Sequence, residues 1–308
     1  MERKVIAIVG PTCSGKTKIA LDLALKINSE IISADSRQIY KLLTIGTAKP
    51  TTTELNLVKH HLIDYLLPDE HYNVSRFEID ATKIINQLHS NKKIPVIAGG
   101  SGLYIKALID GIFDKVDSDE DYRKELLLKR EKLGNAYLYD ELRKVDPESA
   151  SKMLPQNWKR VIRALEVLHI TGQPIWQLQQ KQNRNSLFVF YQFGLLWDRK
   201  TLYQNIDSRV DQMISDGFID EVKNILKLGY SSELNSLNTV GYKEIISFLR
   251  NEIIFERAVE LIKRNTRHYA KRQMTWFRKD KRIEWIDVDS HFNSDLIANI
   301  IHKKIIES

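Results

Sequence analysis

KVIAIVGPTCSGKT, residues 4–17, is the stretch whose reading decides the fold. Its first part, KVIAIV, is an apolar run rich in β-branched side chains, with no alternation of polar residues after Lys4. A parallel strand buried on both faces reads this way. Its second part fits G-x-x-x-x-G-K-[ST] in full, and residues 19–27 then take up helical spacing. Strand, glycine-bounded turn and helix together form a phosphate cradle: the glycines let main-chain N–H groups curl round an anion, and the helix N-terminus adds its positive dipole end. Gly10, Pro11, Thr12, Cys13, Ser14, Gly15, Lys16 and Thr17 are the candidate residues. Lys16 is expected to neutralise phosphate oxygens, and the Thr17 hydroxyl to reach a Mg²⁺ that bridges them. The loop specifies a phosphate chain, as ATP or another ligand would carry, and not a reaction.

Outward from this stretch, EIISA (30–34) reads as a second strand ending at Asp35, and IPVIA (94–98) as a third, running into Gly99-Gly100-Ser101-Gly102 with a helix from Leu103. Strands alternating with helices imply an α/β fold with right-handed crossovers. The texture then changes. Charged helical stretches at 121–133 and 157–169 dominate until LFVFYQFGLLW (187–197) reads as a strand again. Helices are expected at 200–215, 218–228 and 253–277, and a late strand at 283–288. The expectation is a P-loop NTPase-like parallel sheet flanked by helices, built from residues 1–114 and 187–308, with 115–186 as an inserted helical domain.

The chain has 308 residues, and its one cysteine, Cys13, excludes an internal disulfide framework and points to a reducing cytoplasm. No apolar run approaches the roughly 18 residues of a membrane span, and the N-terminus carries no small-residue cleavage site. The formal net charge is +7. Between residues 263 and 282 stand nine Lys/Arg against one acid, Asp280, so this segment holds the whole excess. Arg257, Arg264, Lys271 and Arg278 recur at seven-residue spacing, with Arg267 close to the same stripe and Ala258, Ile262, Thr266, Tyr269 and Phe277 covering much of the other side. A cationic track some 30 Å long suits a nucleic-acid backbone better than a single phosphate chain. A solvated helix face would look the same.

Asp35, at the carboxyl end of its strand, could hold Mg²⁺ through water, act as a general base, or simply cap the turn that follows. The 99–102 loop offers close ligand approach and the Ser101 hydroxyl, or is only a tight turn. His60 and His61 would point to opposite faces of a strand, which suits a structural role better than a metal. Trp158, Trp176, Trp197, Trp276 and Trp285 read mostly as core.

The whole constellation resembles the tRNA dimethylallyltransferases, also called tRNA isopentenyltransferases, over nearly the full length. The matching stretches are GPTCSGKT (10–17), ISADSRQIYKLLTIGTAKP (32–50), HHLID (60–64), PVIAGGSGLYIKAL (95–108), KRVIRALEV (159–167), RVDQMISDGFIDEV (209–222), TVGYKEI (239–245) and YAKRQMTWFRKD (269–280). The resemblance implies transfer of a dimethylallyl group from its diphosphate to the exocyclic amine of the tRNA adenosine 3′ of the anticodon, with Mg²⁺ assisting. It implies that the 10–17 cradle grips the leaving diphosphate, that Asp35 takes a proton from the amine, that Ser101 stands in a position usually held by Thr, and that Arg209 is a second phosphate clamp. It places tRNA contacts at Asp35, Ser36, Arg37, Gln38, Ser101, Arg123, Arg160 and Arg163, and puts Lys159 where the family has Gln. The basic segment adds Arg264, Arg267, Lys271, Arg272 and Arg278 as candidates for holding the anticodon stem-loop. A monomer without membrane contact is expected. A small-metabolite kinase would also use the P-loop and Asp35 but leaves the basic segment unexplained. An adenylate isopentenyltransferase would not need that segment, and a purely RNA-binding module would not need the P-loop.

Overall fold

The structure, a computed structural model, describes residues 2–112, 116, 119–180, 187–289 and 291–307. In chain order the elements are β1 (Lys4–Val9), α1 (Lys16–Lys26), β2 (Ile31–Ser33), α2 (Thr52–Leu57), β3 (His60–His61), α3 (Val74–Ser90), β4 (Val96–Gly99), α4 (Gly102–Asp110), α5 (Glu120–Val145), α6 (Pro147–Ser151), α7 (Trp158–Thr171), α8 (Ile175–Gln180), β5 (Val189–Trp197), α9 (Arg199–Ser215), α10 (Phe218–Lys227), α11 (Tyr242–Leu249), α12 (Phe255–Phe277), β6 (Ile283–Val288) and α13 (Ser294–Glu307). By its internal contacts the chain divides into two compact units, Met1–Ile109 with Ser186–Ser308, and Asp110–Asn185.

In the larger unit the six strands form one parallel sheet in the order β3-β2-β4-β1-β5-β6. Successive side chains of β1 feed opposite layers, which is why its apolar run is unbroken. Val5, Ala7 and Val9 join Ile32 and Ile97 against Phe77, Ala81, Ile85 and Leu88 of α3. Ile6 and Ile8 join Val96, Phe193 and Leu195 against Ile19 and Leu23 of α1 and Ile297 and Ile301 of α13. The predicted strands and the helices α1, α4, α9, α10 and α12 are present within a few residues of their expected ends. The stretch between Asp35 and Ile94, in which the sequence reading placed only His60-His61, also holds α2 and α3. His60 and His61 form the edge strand β3: His61 Nε2 pairs with Glu30 at 2.7 Å, and His60 Nδ1 lies 2.8 Å from the Val58 carbonyl.

β2 is not the neighbour of β1, because β4 lies between them. The ends of the three strands nevertheless converge, and small residues make this possible. A Cβ on Gly99 would stand 2.2 Å from the Ala34 carbonyl oxygen, so β4 leaves the sheet with its backbone pressed on that of β2. The 99–102 glycines thus bring two chain segments together.

The smaller unit packs Leu126, Leu138 and Leu142 of α5 on Val161, Ile162 and Leu165 of α7. Gly134 interrupts α5 with φ 86° and ψ 173°, a conformation open to glycine, so the expected end at Leu133 marks a break and the helix resumes beyond it. Glu166 is fully buried here. Its carboxylate is met by Arg123 at 2.9 Å and Arg163 at 2.7 Å, and it accepts from the Asp119 N–H at 3.2 Å.

Candidate active site

The 10–17 loop turns sharply out of β1. Gly15 caps α1 at φ 86°, and a Cβ there would lie 2.4 Å from the Phe292 ring. Among the described residues no side-chain hydrogen bond caps the α1 N-terminus, so its first N–H groups are left for an anion. Lys16 Nζ lies within the loop, donating to the Pro11 carbonyl and lying 3.5 Å from Ser14 Oγ. Burial pushes the Lys16 ammonium down from the usual 10.5 to about 8, and the positive charge of Arg209 adds to that shift. A lysine so placed gains its full charge when a phosphate arrives. Trp197 braces the loop from β5, its Nε1 donating to the Ser14 carbonyl at 3.1 Å.

Beside the loop is a cavity of about 220 Å³. Thr12 and Cys13 form its wall on the loop side, and Asp35, Ser36 and Arg37 follow from the end of β2. α9 contributes Ile206, Arg209, Val210 and Met213, one face of a helix. α12 contributes Ile262, Thr266 and Tyr269, so Thr266 and Tyr269 line the cavity instead of joining the core of that helix. Phe218, Gly46 and Gly241 meet at another part of the wall. The cavity is therefore mixed in character, with the charged groups of Asp35, Arg37 and Arg209 beside the aliphatic side chains of Ile206, Val210, Met213 and Ile262.

Asp35 Oδ1 accepts from the N–H groups of Arg37 at 2.8 Å and Gln38 at 3.4 Å. It caps this turn and also faces the cavity; among the described residues no hydrogen bond reaches Oδ2. Ser101 Oγ accepts from the Ser36 N–H at 3.1 Å, tying the start of α4 to the Asp35 turn, and Ser101 is not part of the cavity wall. Arg209 lies in the wall. Arg37 donates to the Asn235 carbonyl at 2.6 Å. The Gln38 amide is taken up internally, donating to the Thr47 and Ala48 carbonyls and accepting from Ser33.

The candidate RNA contacts separate into two kinds. Arg264, Lys271 and Arg272 on α12 and Arg278 just past its end are exposed, and among the described residues no carboxylate pairs with them. Arg267 instead makes two contacts with Asp207 of α9, at 2.6 and 2.8 Å, and Lys263 pairs with Asp211 at 2.6 Å. In the smaller unit Lys159 and Arg160 are exposed, whereas Arg123 and Arg163 are committed to Glu166.

Two residues that sequence reasoning missed shape the site. Glu221 of α10 accepts from the consecutive N–H groups of Thr44 (3.0 Å), Ile45 (2.6 Å) and Gly46 (3.2 Å) and from the Tyr242 hydroxyl (2.6 Å). Burial and this carboxylate hold the Tyr242 hydroxyl well above its ordinary pKa. The clamp fixes the loop that supplies Gly46, Thr47 and Ala48 to the cavity. Gln273 of α12 bonds to both Thr12 and Gly100. Among the described residues there is no cluster of three His, Cys, Asp or Glu side chains able to hold a metal by themselves.

A family model described as IPP transferase matches residues 38–280. The chain is 46% identical to a tRNA dimethylallyltransferase of Acetivibrio thermocellus over 300 residues, 96% of each chain. It is 44% identical to that of Natranaerobius thermophilus over 97% of this chain and 91% of the other. Among solved structures, the full-length tRNA isopentenylpyrophosphate transferase of Bacillus halodurans aligns with TM-score 0.73 and 39% identity, covering 99% of this chain and 98% of that one. A eukaryotic dimethylallyltransferase captured acting on tRNA aligns with TM-score 0.83 and 29% identity, covering 99% of this chain and 79% of the other.

Proposed function

The chain belongs to the IPP transferase family, and from that premise we propose that it transfers a dimethylallyl group from dimethylallyl diphosphate to the N6 amine of the tRNA adenosine 3′ of the anticodon, releasing diphosphate. The observation that carries this reading is the cavity beside the phosphate loop, which brings Asp35, Arg37 and Arg209 together with an aliphatic lining suited to a five-carbon chain. In the transfer the allylic C–O bond breaks and a C–N bond forms. The electron pair of the broken bond leaves on the diphosphate, and the amine gives up one proton. Lys16, Arg209 and the loop N–H groups stabilise the charge that grows on the leaving oxygens. Asp35 takes the proton as positive charge develops on nitrogen. Ser101 acts at one remove, by holding the turn that carries Asp35. Water has to be kept from the electrophilic carbon, and the Ile206, Val210, Met213 and Ile262 side chains line the space where it would otherwise stand.

The donor set fits Mg²⁺. Thr17 offers a hydroxyl at the start of α1 beside the cradle, and a magnesium ion held largely by substrate phosphates needs few protein ligands. When bound, it neutralises diphosphate oxygens. Binding to tRNA is by the exposed cations of α12 together with Lys159 and Arg160, with the target base turned out of its loop to reach Asp35. No helix among the described residues is long and apolar enough to cross a membrane, and we take the enzyme to act as a cytoplasmic monomer. Mass spectrometry of nucleosides after incubating the protein with unmodified tRNA, dimethylallyl diphosphate and Mg²⁺ tests the reaction. An N6-dimethylallyl adenosine is expected, and its absence with an active fold would refute the reading.

A further inference from the structure

Gln273 is buried, yet the two residues before it on α12, Lys271 and Arg272, are exposed cations. Its Oε1 accepts from the Thr12 N–H at 2.8 Å, and its Nε2 donates to the Gly100 carbonyl at 2.9 Å. One amide thus spans the ends of β1 and β4. Thr12 belongs to the phosphate loop and to the cavity wall, and Gly100 precedes Ser101, whose hydroxyl holds the Asp35 turn. The fit leaves no slack, since a Cβ on Gly100 would stand 2.1 Å from Nε2. A carboxylate in this place would offer acceptors only, and a thioether neither strong partner.

Resting on the function proposed above, we propose that Gln273 is a positioning residue. It registers the basic helix against the phosphate loop, so that RNA on the exposed face of α12 and diphosphate in the loop bind with a shared free energy. A main-chain N–H cradle binds an anion well only when its peptide planes are held in place. Gln273 holds the Thr12 peptide, and phosphates docked on Lys271 and Arg272 restrain the same helical turn. Coupling through such a contact is reciprocal: whatever RNA does for diphosphate, diphosphate does for RNA.

The test uses the full chain. Gln273→Met keeps the side chain's length and removes both hydrogen bonds. Phe277→Leu, one turn on and buried in the core, weakens packing of the same helix without touching the loop. Inorganic diphosphate affinity is measured by calorimetry with Mg²⁺, with and without tRNA, beside the melting temperature of each variant. In the wild type, tRNA is expected to tighten diphosphate at least about fivefold. Gln273→Met is expected to bind diphosphate alone about tenfold more weakly and to show no tightening by tRNA. Phe277→Leu should melt earlier and keep both properties. A folded Gln273→Met with wild-type affinity and tightening would overturn the proposal. So would a wild type without tightening, or a Phe277→Leu that loses it in step with stability. None of these measurements needs turnover, so a protein that shows the pattern but does not prenylate tRNA refutes the reaction and leaves the link standing.

Discussion

Lys16 carries two opposed demands. Burial in the loop disfavours its charge, while the ligand requires it. Its value of about 8, against the usual 10.5, fixes the signs. Between those two pH values the unfolded chain keeps the proton that the folded chain has released, so this lysine makes stability rise with pH over that window. The anion needs the charged form, so affinity for the prenyl diphosphate falls as pH rises through about 8. Calorimetric melting and donor titration across this range should show the two trends running in opposite directions, and Lys16→Ala should flatten both. Asp35 separates in a different way. Asn caps a turn as well as Asp does, so Asp35→Asn should keep the melting temperature while slowing single-turnover transfer by about 100-fold or more. Asp35→Ala should lose rate and also some stability. The residues of the cradle were legible because their partners are chain neighbours and the motif is local. Gln273 and Glu221 were not, since the loop main-chain groups they hold lie 261 and 175 residues away along the chain, and nothing in the identity of Thr12 or Gly46 names its partner.

At the scale of elements, α12 shows what a charge pattern can and cannot convey. The heptad of cations was visible in the sequence, and Arg264, Lys271 and Arg278 are indeed exposed. The acids that neutralise Arg267 and Lys263 come from α9, and only the packing of two helices reveals them. Neutralising Arg264, Lys271, Arg272 and Arg278 together should therefore weaken tRNA binding and lower the slope of log K against log salt by about two units. Arg267→Ala should leave that slope nearly unchanged and lower the melting temperature instead. Binding measured over a salt series, with circular dichroism as the control for folding, checks both. α3 shows the converse. Phe77, Ala81, Ile85 and Leu88 keep one apolar face through its turns, so its helix was open to a periodicity argument that the sequence reading did not make.

On the scale of the whole molecule, each unit closes its own core. The 110–185 unit carries a buried carboxylate, Glu166, which Arg123 and Arg163 neutralise and the Asp119 N–H helps to hold. Removing the buried carboxylate leaves two part-exposed guanidinium groups without that partner, at a cost of about 1–3 kcal/mol. Glu166→Ala should lower the melting of this unit by that order while the diphosphate affinity of the protein is unchanged, which differential scanning calorimetry and titration would show. The alternation of strands and helices, and the switch to charged helices, made the layered sheet and the inserted segment readable. The strand order was not, because an unbroken apolar strand carries no record of which neighbours it takes. That order has a consequence for the birth of the protein. β1 leaves the ribosome well before β5, with which it pairs along its whole length, Lys4 with Val189 through to Val9 with Gly194, and the amide that steadies its loop arrives only at residue 273. The nascent chain can pair one edge of this apolar strand with β4 early, but the other edge has to wait for β5, a task in which chaperones commonly assist.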